Sequence, residues 1–174
     1  NAHIVIHESG ASSIIAAVQL YTLDSKGGIW DLNRLKAAIK ERTISTTRTR
    51  LVCMENAYNG KVLPLEYMKS VYDLAKSKGL RVHLDGARIF NAAVALACDV
   101  SQIAQYADSV SVCLSKGLSA PIGTILVGDE ELEIDARGYR ENSWGRWAFN
   151  LGGWDFLVVS DLDAGPAEET LSAI

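Results

Sequence analysis

The sequence predicts an α/β fold built on a mostly parallel sheet with helices on both faces. Three observations carry this expectation. Apolar strand-like runs alternate with helix-patterned segments along most of the chain. The helical segments are long enough to serve as right-handed crossovers, which join parallel rather than antiparallel neighbours. Three strand-like runs stop abruptly in polar, glycine-bearing turns, and in open parallel sheets the carboxyl ends of the strands are where ligands bind.

The elements follow in order. "HIVIHE" (His3 to Glu8) reads as a short strand, "SSIIAAVQL" as a helix, and "VQLYTL" as a possible second strand. Asp31 reads as an N-cap, with Leu32, Leu35 and Ile39 on one helical stripe. "RLVCM" (Arg50 to Met54) is a buried-type strand. Pro64 suits a first helical position; Leu65, Met68, Tyr72 and Ala75 share a face, and Gly79 is a stop. "RVHLD" is a strand ending at Asp85. Helices are expected near Ile89 to Ala97 and Val100 to Tyr106, then strands at Val110 to Leu114 and Thr124 to Gly128.

Composition narrows the class. Of 174 residues, 48% are hydrophobic and 22% charged, with a net charge of -4, a globular balance that gives no electrostatic reason to expect nucleic acid or an anionic membrane as partner. No apolar stretch reaches the roughly 18 residues of a membrane span. Cys53, Cys98 and Cys113 lack metal-ligand spacing and read as reduced core thiols, so the expected compartment is cytoplasmic and no metal is expected. The chain opens at Asn1 without an initiator methionine and reads as an interior piece of something longer.

The three strand ends carry the chemistry: Glu55-Asn56-Ala57-Tyr58-Asn59-Gly60, Asp85-Gly86-Ala87-Arg88 and Ser115-Lys116-Gly117. Singly, each has an ordinary explanation. A lysine at a strand end snorkels to water; Asp85 could cap a helix; Arg88 could be its surface partner. Jointly, an amine and a carboxylate on one ligand rim are what pyridoxal 5'-phosphate requires. The amine takes the cofactor aldehyde as a Schiff base, and the carboxylate keeps the ring nitrogen protonated, so that the ring can act as an electron sink.

"ENAYNGKVLPLEY", "HLDGARIFNAAVA" and "DSVSVCLSKGLSAPIGTILVG" resemble the low-specificity L-threonine aldolases, which belong to the β-eliminating lyases among fold-type-I pyridoxal-phosphate enzymes. The resemblance runs over about residues 1 to 140. It implies the large cofactor-binding domain of such an enzyme, incomplete at both ends. It implies cleavage of L-threonine or L-allo-threonine to glycine and acetaldehyde. Lys116 matches the Schiff-base lysine, Asp85 the ring-nitrogen partner, Arg88 the arginine near the phenolate oxygen, and His3 the histidine that stacks on the ring. Glu55 and Asn56 match the start of the family's "ENTHN" segment. His83 alternates with apolar neighbours and reads as structural. The implied partners are a small β-hydroxy-α-amino acid substrate and further copies of the chain, as a homodimer or homotetramer. The implied phosphate-binding turn lies upstream of His3, and the smaller domain downstream of Ile174.

Three departures stand against the resemblance. Ala57 and Tyr58 replace the family's Thr and His. That histidine position is thought to meet the substrate β-hydroxyl, which makes Tyr58 a catalytic candidate. With an unperturbed pKa near 10 against about 6.5 for histidine, a tyrosine is the poorer base at neutral pH. Ser119 stands where glycine is usual, in a turn where a side chain crowds the rim. After Arg140 the family's "GGGMRQ"-type continuation gives way to "ENSWGRWAFNLGGWDF", so residues 1–140 read as the partial cofactor domain and 141–174 as a departing tail. If Glu141 to Trp147 are encoded GAA-AAT-TCT-TGG-GGG-AGG-TGG, reading one base later yields Lys-Ile-Leu-Gly-Gly-Gly, so the tail is expected to be a frame-shifted segment. The alternatives are another β-eliminating lyase or a decarboxylase on the same fold, or an inactive pseudoenzyme that retains the scaffold.

Overall fold

The computed structural model describes residues 2–128 and the backbone of two strands, Tyr139–Ser143 and Trp154–Val158. The chain divides into two compact units, one of residues 21–131 and one of residues 1–20 with 132–174.

In the larger unit, Asp31 caps α3 (Leu32–Ala38), its side chain accepting from the Asn33 N–H at 2.8 Å. Strand β1 (Leu51–Glu55) leads through a loop to α4 (Leu65–Ser77), which Pro64 opens from the N-cap position and Gly79, at φ +66°, closes. Strand β2 (Arg81–Asp85), α5 (Ile89–Leu96), α6 (Val100–Ala104), β3 (Ser109–Cys113) and β4 (Thr124–Gly128) follow. The strands lie in sequence order, β1-β2-β3 parallel and β4 antiparallel at the edge. The expected mostly parallel sheet with helical crossovers is therefore present, with α4 joining β1 to β2 and the α5–α6 pair joining β2 to β3.

The parallel strands are two-faced. Val52, Met54, Val82, Leu84 and Val110 are buried in one cluster with Met68, Val71 and Ala75 of α4, Ile89, Ala92 and Ala93 of α5, and Ile103 of α6. Each fully buried Met, Leu or Ile there contributes about 1.5–3 kcal/mol. The alternating set, Cys53, Glu55, His83, Asp85, Ser109, Ser111 and Cys113, is only half-buried. Strands buried on both faces would be apolar at every position. These instead keep one face of acids, serines, thiols and an imidazole, which leaves it for something polar.

In the smaller unit the expected strand over His3 to Glu8 is corrected. His3–Ile6 forms a helical turn, α1, and Ala11–Ile14 a second, α2. The β-branched run Ile4-Val5-Ile6 suggests a strand, but a strand needs a partner to bond to. A helical turn closes on itself, here through the His7 N–H to the His3 carbonyl at 2.9 Å. Nor does the 18–23 segment form a strand. Strands β5 (Tyr139–Ser143) and β6 (Trp154–Val158) pair antiparallel in the same unit. The remainder of the 141–174 tail lies outside the described residues. No helix among the described residues is long and apolar enough to cross a membrane.

Candidate active site

Parallel register brings the strand ends together. Glu55 is paired with Asp85, and Asp85 with Ser111, in one row across the half-buried face at the carboxyl edge of the sheet. One row back, Cys53 faces His83 and His83 faces Ser109, with His83 Nδ1 and Ser109 Oγ 2.8 Å apart. The charge of Asp85 is felt in both directions. Burial first, then Asp85, pushes the Cys53 thiol up to about 11. Burial lowers the His83 pKa, and Asp85 partly opposes it. Cys53 is thus a protonated thiol and His83 a neutral imidazole near pH 7.

Asp85 does not cap a helix. Its Oδ1 accepts from the Ala87 N–H at 3.0 Å in a local turn, and α5 begins only at Ile89, with Arg88 at the N-cap. The carboxylate is half-buried, and its other oxygen has no hydrogen bond among the described residues. Gly86 permits this placement. A Cβ on it would fall 2.8 Å from Val110 Cγ1 and 3.0 Å from the Ser111 carbonyl, so only glycine lets β2 end hard against β3. Arg88 is exposed on the same turn.

Lys116 sits three residues beyond β3, half-buried, in the loop that reverses the chain into β4. The loop is tied to itself: Leu114 N–H to the Gly123 carbonyl at 2.8 Å, Ala120 N–H to Leu114 at 3.0 Å, and Ser119 N–H to Lys116 at 3.1 Å. Gly117 packs directly on the Asn91 side chain of α5, which a Cβ there would displace. Ser119 has φ +56°, which explains why a glycine suits that position better than a residue with a Cβ.

The Glu55–Leu63 connection is built around Asn56, which is 0% exposed. Its Oδ1 accepts from the Leu63 N–H at 3.2 Å, and its Nδ2 lies 3.5 Å from Met68 Sδ. Tyr58 and Lys61 then close a tight turn through reciprocal bonds of 2.9 and 2.8 Å. Asn59 and Gly60 both have positive φ, as a type I′ turn requires. Asn56 is therefore structural, whereas Tyr58 is a half-buried residue of the turn. His3 belongs to the other unit, where its Nδ1 is 2.7 Å from Glu8 Oε1 and its ring 4.9 Å from that of His7.

Sequence reasoning overlooked two residues. Asp108 organises the opposite end of β2 and β3, and nothing in its local pattern separates it from a loop aspartate. Gly28 underlies Tyr58; the Gly27-Gly28 pair was the available signal.

The arrangement fits an aldehyde-bearing ligand with a basic ring nitrogen. An amine, Lys116, and a carboxylate with an open oxygen, Asp85, share one edge, and glycines at 86 and 117 keep Cβ atoms out of the close contacts there.

The Beta-eliminating lyase family model matches residues 1–152. The low specificity L-threonine aldolase of Escherichia coli K12 is 39% identical over 145 residues, covering 83% of this chain and 44% of that protein. Low-specificity L-threonine aldolase 1 of Arabidopsis thaliana is 40% identical over 151 residues, covering 83% and 42%. The chain spans less than half the length of these relatives. In fold, it superposes on the Leishmania major threonine aldolase with a TM-score of 0.60 at 24% identity, over 66% of this chain and 34% of that one. With the sheet, the rim and its motifs in place, the chain belongs to the beta-eliminating lyase family.

Proposed function

We propose that this chain forms the lysine- and aspartate-bearing part of a pyridoxal-phosphate-dependent aldolase that cleaves L-threonine or L-allo-threonine to glycine and acetaldehyde. The observation that carries the reading is that Asp85 ends β2 while Lys116 lies in the loop just beyond the carboxyl end of its parallel neighbour β3. When bound, the cofactor supplies the electron sink for the carbon that loses its neighbour. The chain's own residues do the rest. Lys116 would hold the cofactor through its aldehyde carbon. Asp85, fixed by the Ala87 N–H, would keep a proton on the ring nitrogen through its outer oxygen. Arg88 lies on the same turn to meet the phenolate oxygen, and His3 is the ring-stacking residue. Tyr58 relays the β-hydroxyl proton, accepting it as the Cα–Cβ bond breaks while giving up its own hydroxyl proton. The bonding electrons stay with Cα, which takes up one proton in place of the lost carbon to give glycine, and the β-carbon leaves as the aldehyde. Three cysteines free of disulfides among the described residues suit a reducing, cytoplasmic setting. The assembly is a homodimer or homotetramer.

The test is covalent. The full-length product of the gene, loaded with pyridoxal 5'-phosphate and reduced with borohydride, should carry the label on the peptide containing Lys116 and lose it in Lys116→Ala. A label that moves unchanged to another lysine overturns the assignment. Glycine release from L-threonine separates the aldolase from other lyases and decarboxylases on this scaffold.

A further inference from the structure

We infer that Gly28 is a positioning residue for Tyr58: a second tight turn, Lys26–Ile29, is the seat that sets where Tyr58 stands at the rim. This rests on the reading of Tyr58 as the residue that meets the substrate β-hydroxyl.

The two turns are alike and stacked. Lys26 and Ile29 bond reciprocally at 3.0 and 3.3 Å, with Gly27 at φ +65° and Gly28 at φ +87° between them. Tyr58 and Lys61 form the same bridge around Asn59 and Gly60. At Gly28 a Cβ would stand 3.0 Å from Tyr58 Cβ, 3.3 Å from Tyr58 Cγ and 3.1 Å from Leu63 Cδ2. The root of the tyrosine, which cannot rotate away, therefore rests on a glycine backbone. At Gly27 a Cβ would meet only the Lys61 side chain, at 3.0 Å from Cδ, which can swing aside.

The seat is anchored from below. Trp30 N–H donates to the Tyr67 hydroxyl at 2.7 Å, and that hydroxyl lies 3.4 Å from the Trp30 carbonyl, tying the 26–30 segment to α4. Asn56 ties the other end of the Tyr58 loop to α4 through Met68. Both turns are thereby referred to one helix. A group added at Gly28 has to move Tyr58 or the loop that carries it.

The adjacent glycines supply the control. Alanine at either position bears the same left-handed backbone penalty, but only the one at 28 collides with Tyr58. Labelling the full-length enzyme with 3-fluorotyrosine gives a fluorine resonance for Tyr58, assigned by its loss in Tyr58→Phe. Gly28→Ala should shift or broaden that resonance while leaving the Tyr67 resonance in place; Gly27→Ala should leave both. In the full-length enzyme, Gly28→Ala should lower kcat/KM for the β-hydroxy-α-amino acid on the order of 10- to 100-fold, the scale of a misplacement near 1 Å. The loss should vanish in a Tyr58→Phe background.

A Tyr58 resonance equally disturbed by both alanines, or by neither, overturns the inference. So does a loss of rate that persists without the tyrosine hydroxyl. If Tyr58→Phe itself leaves kcat/KM unchanged, the role given to Tyr58 fails, and the fluorine spectra still decide whether Gly28 seats it. Should Gly28→Ala not fold, Gly28→Ala/Tyr58→Gly restores folding if the collision is the cause; continued failure to fold counts against the seat.

Discussion

Asp85 and Asp108 stand at opposite ends of the same pair of strands, and they are used in opposite ways. Asp108 precedes β3 and is 6% exposed. Both its oxygens are engaged, one by Lys76 Nζ of α4 and the other by the Val82 N–H at 2.7 Å, while its own N–H bonds the Val82 carbonyl at 2.8 Å. It locks the start of β2 against β3 and against α4. Asp85 ends β2 with one oxygen held by Ala87 and the other without a bond among the described residues. A buried carboxylate with both oxygens engaged is a structural clamp. A half-buried one with an open oxygen, on the ligand edge, is available to an incoming group. The difference lies in what surrounds each residue, not in the residue type.

Matched substitutions would break or sharpen this contrast. Asp85→Asn keeps an acceptor for Ala87 but removes the charge from the rim. Turnover in the cofactor-loaded, full-length enzyme should fall by on the order of 10²-fold or more, the scale of a lost proton-holding group, with little change in the denaturation midpoint. Large destabilisation with full turnover per folded molecule would make Asp85 a second clamp.

Asp108→Asn should show the opposite pattern, losing about 1–3 kcal/mol in chemical denaturation, as expected when hydrogen bonds to a charged group are removed, with turnover per folded molecule preserved. Its pH dependence adds a check. Burial pushes the Asp108 carboxyl up, but Lys76, the Val82 N–H and Arg81 together outweigh it and hold the folded pKa below the ordinary 3.8. A depressed folded pKa contributes stability that is present above the unfolded value and is lost as pH falls through the folded one. The gap between wild type and Asp108→Asn should therefore be constant near neutrality and shrink below about pH 4. A gap independent of pH down to full protonation would remove the ion pair from the explanation.

The smallest effect concerns the seam between the two ends. Gly86→Ala forces a methyl to within 2.8 Å of the Cγ1 of Val110, which is buried, and 3.0 Å of the Ser111 backbone carbonyl. A cost of about 1–2 kcal/mol is expected, with hydrogen-exchange protection reduced at the Asp85–Ser111 edge and retained at the Val82–Asp108 edge. Uniform loss at both ends would show that the strands respond as one body, with no separate clamped and open ends.

Much of the site was legible before any coordinates. Strand β2 and strand β4 have the bounds expected from their short apolar runs and the turn residues beside them, because both are properties of neighbouring residues. Asp31 as a cap is likewise local: it depends on atoms no more than a few residues apart. The Asp85 and Lys116 motifs were visible because the order of strands and turns around them determines which edge they reach once the sheet is parallel. Other features were decided only by tertiary structure. "HIVIHE" carries a strand's composition but forms a helical turn, since β-propensity is realised only when a partner strand is present. Asn56 reads as a site residue by its neighbours and proves to be a core hydrogen-bonding post. The Asp108 clamp joins residues 26 and 32 positions apart, and the seat of Tyr58 on Gly28 joins residues 30 positions apart. No local pattern encodes such pairs, because they come into contact only when the helices pack down on the sheet.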